Sequence, residues 1–419
     1  MLTHRFFDKV VRRGDLEIAY ADGRCGRYGD GHGERVKIRL TDRATERKLL
    51  LNPKLAFGEA YMDGRLVIEA GDLEALLVIA IDNMGHLENH GVFQWLDLAE
   101  RGLRKLVSHN PVQRSRRNVH HHYDLSRGLY DLFLEADRQY SCGYYATAAS
   151  TLEQAQLDKK LHIAAKLKLD RPGLRILDIG CGWGGLALYL AEATGAEVLG
   201  ITLSTEQLRM ARERAKARGL ERSVRFELID YRHLEGRFDR IVSVGMFEHV
   251  GPAHYRAFFD KIAALLTPGG VALLHSIGST HSPTATNPWL RKYIFPGGYT
   301  PSLSEVLPAV ERSGLWTADI EVLRLHYAET LRDWHARFMA NWDQAAALYD
   351  ERFCRMWEFY LVGCELSFRR MGQMVFQLQM ARDIEALPIT RDYMVDWERR
   401  HRDDAQPRKA TDERTEAAE

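Results

Sequence analysis

The feature that most constrains this chain is a short apolar run, Leu174 to Ile179. It ends in the loop Gly180-Cys181-Gly182-Trp183-Gly184-Gly185 and passes into a helical pattern. Glycines there let a backbone turn tightly and approach a ligand at the C-terminal edge of a parallel sheet. Alternation follows downstream. The patterning predicts a helix over 185–193, a strand over 197–202, a helix over 205–218 and strands over 224–229 and 238–244. A helix over 253–266 and a strand over 271–277 come next. Strands separated by helical segments of about ten or more residues indicate βαβ units around a parallel sheet. A helix over 152–167 precedes the glycine loop, residues 328–372 are helical and aromatic-rich, and residues 375–379 read as a last strand.

At 419 residues the chain is long enough for two or three domains. Its 58 basic and 58 acidic residues cancel, which argues against a protein whose whole surface grips nucleic acid. No apolar stretch approaches the ~18–20 residues of a membrane span. The first residues scatter charges through MLTHRFFDKVVRRGD, so no signal peptide is expected. Five widely spaced cysteines without a C-x-x-C pair suit a reducing cytoplasm better than a disulfide framework or a zinc site.

Before the glycine loop lie β-like runs at 36–40 and 66–69 and helical patterns over 73–81 and 95–107. Residues 101–117 then carry six Lys/Arg and no acid. That run reads as a linker. It could also contact anionic phospholipid headgroups, which attract a basic residue by about 1 kcal/mol near the surface. The charged, aromatic-free end is expected to be disordered. The expected units are 1–117, a small lipid-docking domain with its linker; 118–395, a larger α/β domain; and 396–419, a tail.

The spacing Gly180-x-Gly182-x-x-Gly185 also fits a dinucleotide fingerprint. That fingerprint wants an acid about 20 residues on, at the tip of the second strand, for the ribose hydroxyls. Here the tip reads Gly200-Ile201-Thr202-Leu203-Ser204, and Glu197 lies at the wrong end. Asp178 in the strand end instead gives an arrangement that resembles the D-x-G-x-G of S-adenosylmethionine-dependent methyltransferases.

The resemblance widens along the chain. HHYDLS (His121 to Ser126), RQYSCGYY (Arg138 to Tyr145), LEQAQLDKK, ILDIGCGWGG, GITLSTEQ (Gly200 to Gln207), FDRIVSVGMFEHVG (Phe238 to Gly251), LLHSIG (Leu273 to Gly278) and YIFPGG (Tyr293 to Gly298) are together similar to cyclopropane-fatty-acyl-phospholipid synthases. GEAYMDGRL (Gly58 to Leu66) resembles the small first domain of the bacterial members. The similarity reaches about residue 395. It implies a class I methyltransferase-like α/β fold, with a seven-stranded mostly parallel sheet, a helical insertion and a smaller N-terminal domain. It implies a cyclopropane synthase that moves a methylene group from S-adenosylmethionine to the cis double bond of phospholipid acyl chains.

Carried onto this sequence, the resemblance places Tyr140, Ser141, Asp178, Gly180, Gly182, Trp183, Gly184, Thr202, Leu203, Ser204, Gln207, Tyr231 and Arg232 around the cofactor. The hydroxyls and the amide of Ser141, Thr202, Ser204 and Gln207 can bond its amino-acid and ribose parts. Tyr231 can pack on the adenine, while Trp183 or Tyr140 can face the sulfonium. The family is associated with a bound bicarbonate, whose matching ligands here are Cys142, Glu248, His275, Tyr327 and the backbone at Ile277. Glu248 and His275 are expected just beyond the fourth and fifth strands of the sheet. Cys364 matches a family cysteine sometimes treated as catalytic, and on its apolar helix face it is expected to pack. No metal is expected, because the adjacent His120, His121 and His122 point apart. A homodimer, peripheral on the inner membrane surface and not bound to nucleic acid, completes the expectation. The alternatives are a fatty-acid methyltransferase giving methyl- or methylene-branched chains, a methyltransferase of small amines, a non-enzymatic lipid-binding protein and a nicotinamide oxidoreductase.

Overall fold

The computed structural model describes residues 2–88 and 127–402. The expected helix over 95–107, the basic run at 101–117 and the triple histidine lie outside the described residues.

The N-terminal unit holds β1 (Asp15–Ala19), β2 (Cys25–Tyr28), β3 (Arg35–Leu40) and β4 (Leu66–Ala70), in the order β2-β1-β3-β4. Alternation buries Val36, Ile38 and Leu40 of β3 and leaves Arg35 and Arg39 outside. This is the pattern of a sheet covered on one face. Helix Pro53–Met62 lies between β3 and β4, and helix Leu73–Asp82 follows β4, capped by Asp72, whose side chain accepts from the Ala75 amide.

The second sheet contains β5 (Arg175–Ile179), β6 (Glu197–Thr202), β7 (Val224–Leu228), β8 (Phe238–Val244), β9 (Leu266–Ser279), β10 (Trp316–Leu323) and β11 (Gln373–Ala381). Its order is β10-β11-β9-β8-β5-β6-β7. The pairings β5–β6, β6–β7, β5–β8 and β8–β9 are parallel, and β11 runs antiparallel to both β9 and β10. The chain leaves β5 toward β6 and β7, then crosses back to place β8 on β5's other side. Such a reversal opens a crevice at the carboxyl ends of the strands. The expected seven-stranded, mostly parallel sheet is thus present, and helices His326–Ala340, Trp342–Leu348 and Glu351–Arg370 form the insertion between β10 and β11.

Two expectations need correction. β10 had no counterpart in the sequence reading, because this edge strand leaves Trp316 52% exposed and carries no clean apolar alternation. The proposed tail from 396 begins too early, since helix Asp392–His401 buries Met394 and Trp397 on one face. His162 of helix Leu152–Lys166 meets Glu398 of that helix at 2.5 Å.

The two units touch directly. Trp289 is buried and its indole N–H points at Met62 Sδ, 3.1 Å away. Glu59 accepts from Lys292 at 2.7 Å and Tyr293 at 2.8 Å, and the Tyr61 hydroxyl donates to Glu358 at 2.5 Å.

Candidate active site

Two cavities lie end to end above the carboxyl edge of the sheet, and both are bordered by Tyr140, Ser141, Gly245 and His249.

The first is floored by the glycine loop. Gly182 adopts φ +54, and a side chain there would meet no atom within 4 Å, so this backbone lies open to the cavity. Gly180 and Trp183 also line the cavity. Gly184 does not. Its φ is +83, and an added Cβ would come within 2.6 Å of the Phe226 ring, so this glycine serves the turn into helix Gly185–Thr194. At the end of β6, Thr202 donates to Gln207 Oε1 at 2.8 Å and accepts from the Ser204 amide at 3.1 Å. Thr202, Leu203 and Gln207 face the cavity; Ser204 caps helix Thr205–Ala217 by accepting from the Gln207 amide at 3.3 Å. Ser204 is therefore a capping residue, not a cavity residue.

After β7, Asp230 holds Arg232 by paired bonds of 2.8 and 2.7 Å and also accepts from its amide. The Arg232 guanidinium lies 5.6 Å from the centre of the Tyr231 ring, and both residues line the cavity. Tyr140 stacks on Trp334 at 5.1 Å, and its hydroxyl pairs with that of Tyr360 at 2.9 Å. Asp178 is 2% exposed, burial pushes its pKa up to about 7, and its Oδ2 has no hydrogen-bond partner. A buried, unsatisfied carboxylate oxygen beside an open glycine backbone suits a ligand that brings a cation or donor. An S-adenosylmethionine amino group meets that requirement.

The second cavity gathers every expected catalytic residue: Cys142, Glu248, His275, Ile277, Tyr327 and Cys364. Glu248 lies in the turn Phe247–His249, anchored by Phe247, which is fully buried and stacks on Tyr255 at 4.4 Å. Glu248 Oε1 accepts from the Ile277 amide at 2.7 Å, while Oε2 is buried without a partner. The Ile277 N–H is thus committed to Glu248 and is not a spare donor for an anion, as the resemblance had suggested. Burial raises the Glu248 pKa, and the Ile277 bond only partly offsets this.

His275 lies within β9, opposite Val244 and Gln377, instead of beyond the strand end. Burial, reinforced by Lys159 and Lys166, pushes its pKa down to about 3, so the imidazole is neutral. Gln377 Nε2 lies 3.2 Å from Nδ1. With the amide as donor, the ring proton sits on Nε2. The Cys142 thiol is held up by burial, and that of Cys364 is pushed to about 12. Cys364 faces the cavity instead of merely packing, yet it is no thiolate. Tyr360, Phe295, Phe368, Leu331 and Val375 make much of the remaining wall aromatic and aliphatic, beside the polar side chains of Thr286, Thr300 and Gln373.

Sequence reasoning missed Lys159 and Gln377. Lys159 and Lys160 look like a solvated face of an amphipathic helix, while Gln377 is reached only by packing.

Residues 110–378 match a family model described as mycolic acid cyclopropane synthetase, and residues 3–90 match one described as a domain of unknown function. The chain belongs to the mycolic acid cyclopropane synthetase family. The cyclopropane-fatty-acyl-phospholipid synthase of Escherichia coli (strain K12) is 38% identical over 83% of this chain and 88% of its own length. The tuberculostearic acid methyltransferase of Mycobacterium tuberculosis is 32% identical over 91% of both chains. The solved structure of mycolic acid cyclopropane synthase CmaA1, complexed with SAH and CTAB, superposes with a TM-score of 0.61 at 34% identity. It covers 65% of this chain and 99% of that one. This cyclopropane synthetase relative is therefore an S-adenosylmethionine-dependent methyltransferase of the cyclopropane and fatty-acid class.

Proposed function

We propose that the enzyme transfers a methylene equivalent to the cis double bond of unsaturated acyl chains in membrane phospholipid. A cis double bond is a weak nucleophile. Its attack on a methyl group leaves a carbocation on the acyl chain, and the ring closes when a proton departs from the transferred methyl. S-adenosylmethionine supplies the electrophilic methyl, and bicarbonate, when bound, supplies the base.

The chain's own residues do the rest. Aromatic faces of Tyr360, Phe295 and Phe368 exclude water, which would trap the cation, and are suited to stabilise it. Glu248 Oε2 can accept the anion's O–H, whereas His275 Nε2–H and the Tyr327 hydroxyl are donors for its oxygens. The orphaned oxygen of Glu248 fits a small hydrogen-bonding guest better than an acyl chain. The observation that carries the reading is the meeting of two chambers at Tyr140, Ser141 and Gly245, one polar and open to backbone, the other apolar with a single carboxylate cluster.

The kinship with a tuberculostearic acid methyltransferase supports a second reading, a methyl- or methylene-branched product. Vesicles of a cis-monounsaturated phospholipid, incubated with protein and methyl-labelled S-adenosylmethionine, separate the two. A far-upfield cyclopropane methylene signal in the labelled lipid is expected. Branched-chain signals would overturn ring closure, and an unlabelled lipid would overturn the substrate.

Access to the lipid is proposed to be peripheral, from the cytoplasmic side and as a homodimer, with the basic run at 101–117 facing anionic headgroups. Among the described residues no helix is long and apolar enough to cross a membrane. Neutralising Arg114, Arg116 and Arg117 should weaken binding to anionic vesicles, most at low salt. Unchanged binding would leave the run a connector.

A further inference from the structure

Lys159 is 1% exposed in the wall of the first cavity, and the chemistry above makes no use of it. Helix Leu152–Lys166 delivers it from behind the segment Gln139–Ser141. Its Nζ donates to Gln139 Oε1 and to Ser141 Oγ, each at 2.8 Å. Both partners are neutral oxygens. An ammonium group carries three protons, so one remains beyond these two bonds. Ser141 Oγ, as the acceptor from lysine, must direct its own proton elsewhere, and Ser141 also borders the chamber. Keeping a buried charge against neutral partners is costly, and burial lowers the Lys159 pKa to about 7, with the Glu135 carboxylate opposing the fall.

The same chamber holds Asp178, close enough for the Lys159 charge to act on it and with one oxygen unpaired. One part of the wall thus offers donors suited to an anion, another an acceptor suited to a cation. The amino-acid end of the cofactor is a zwitterion of that polarity. We infer that Lys159, together with the Ser141 hydroxyl, receives the carboxylate of the cofactor's amino-acid end, while Asp178 takes its ammonium. Lys159 is then a binding residue that orients the sulfonium toward the acceptor chamber by fixing the far end of the molecule. It is not a catalytic residue, since it touches no reacting atom.

A lysine that merely props the Gln139–Ser141 segment would behave differently, and calorimetry on the full-length protein tells the two apart. S-adenosylhomocysteine is titrated beside its decarboxylated analogue, which keeps the adenosine, the sulfur and the ammonium. Lys159→Met should weaken S-adenosylhomocysteine at least about tenfold, the scale of a hydrogen bond to a charged group, and leave the analogue within about twofold. Equal losses for both ligands, or no loss for either, would overturn the assignment. Should Lys159→Met fail to fold by circular dichroism, Ser141→Ala takes the same two titrations, with the same selective loss expected and the same refutations. Wild-type protein that binds neither ligand would instead count against the cofactor itself.

Discussion

Glu248 offers the sharpest test, because substitution by Gln changes its charge and almost nothing else. Oε1 accepts the Ile277 amide at 2.7 Å, and a glutamine carbonyl can take the same bond. The turn Phe247–His249 is held by the buried Phe247 stack, which the substitution does not touch. Folding should therefore survive. Glu248 lines the acceptor cavity and not the cofactor cavity, so affinity for S-adenosylhomocysteine should stay within about twofold. On the proposed mechanism, what is lost is an acceptor for the O–H of a bound base. A positioned proton acceptor contributes roughly 10²–10⁴ in rate, which is about 3–5 kcal/mol of barrier. Label transfer to cis-monounsaturated vesicles should fall by that factor while calorimetric cofactor binding persists. Stability adds an independent check. Burial raises this carboxyl's pKa, so at neutral pH the charged form works against folding. Glu248→Gln should be at least as stable as the parent at pH 7, and the difference should shrink as pH falls and the parent's carboxyl protonates. Turnover above about a tenth of the parent's, in a variant that still binds cofactor, would refute the role of Glu248.

Three further outcomes follow from the geometry. Cys364→Ala should keep turnover within about threefold, because burial holds the thiol near 12 and no thiolate is available; a loss beyond tenfold would make the sulfur chemically active. Gly184→Ala should cost about 2–4 kcal/mol in urea unfolding, combining the left-handed backbone at φ +83 with a 2.6 Å approach to Phe226, and a cost under about 1 kcal/mol would show that the loop relaxes freely. Burial alone would lower the His162 pKa, but its bonds to Glu321 and Glu398 raise it above the ordinary value. A raised histidine stabilises fully below about pH 6.5 and loses that contribution as pH climbs through its folded value, so His162→Gln should be most destabilising in acid and converge on the parent in base. A penalty independent of pH would mean packing alone.

The sheet was legible where strands are buried on both faces. β5, β6, β8 and the second half of β9 are apolar runs that helices cover, so their signal survives without an alignment. β10 escaped because it carries no clean apolar alternation and Trp316 stands 52% exposed there, whereas β7, at the other edge, still reads as a strand. The C-terminal helix escaped because charges outnumber its two anchors, Met394 and Trp397, although their three-residue spacing is a helical signal. Ser204 could have been assigned correctly, since Ser204-Thr205-Glu206-Gln207 has the S-x-x-Q form of a helix start. Gly184 could not, as the space above it is closed by residues distant in sequence, Phe226 of β7 and Ala211 of helix Thr205–Ala217. Lys159 is the extreme case. Nothing local separates it from Lys160, whose Nζ pairs with Asp137 at 2.8 Å in an ordinary ion pair.

The division into two chambers bears on how products can differ within this family. The first cavity is lined from the glycine loop, the ends of β6 and β7 and the Tyr140–Ser141 segment. The second is lined from β9, the turn after β8 and the helical insertion. Only a narrow border of Tyr140, Ser141, Gly245 and His249 belongs to both. In the proposed reaction, methyl transfer falls at that border and the fate of the carbocation on the side of the second cavity, where Glu248, His275 and Gln377 sit on adjacent elements. On that reading, relatives named as a cyclopropane-fatty-acyl-phospholipid synthase and as a tuberculostearic acid methyltransferase, 38% and 32% identical to this chain, would differ mainly on the side of the second cavity. The orientation of His275 by Gln377, more than the glycine loop, is where ring closure would be gained or lost.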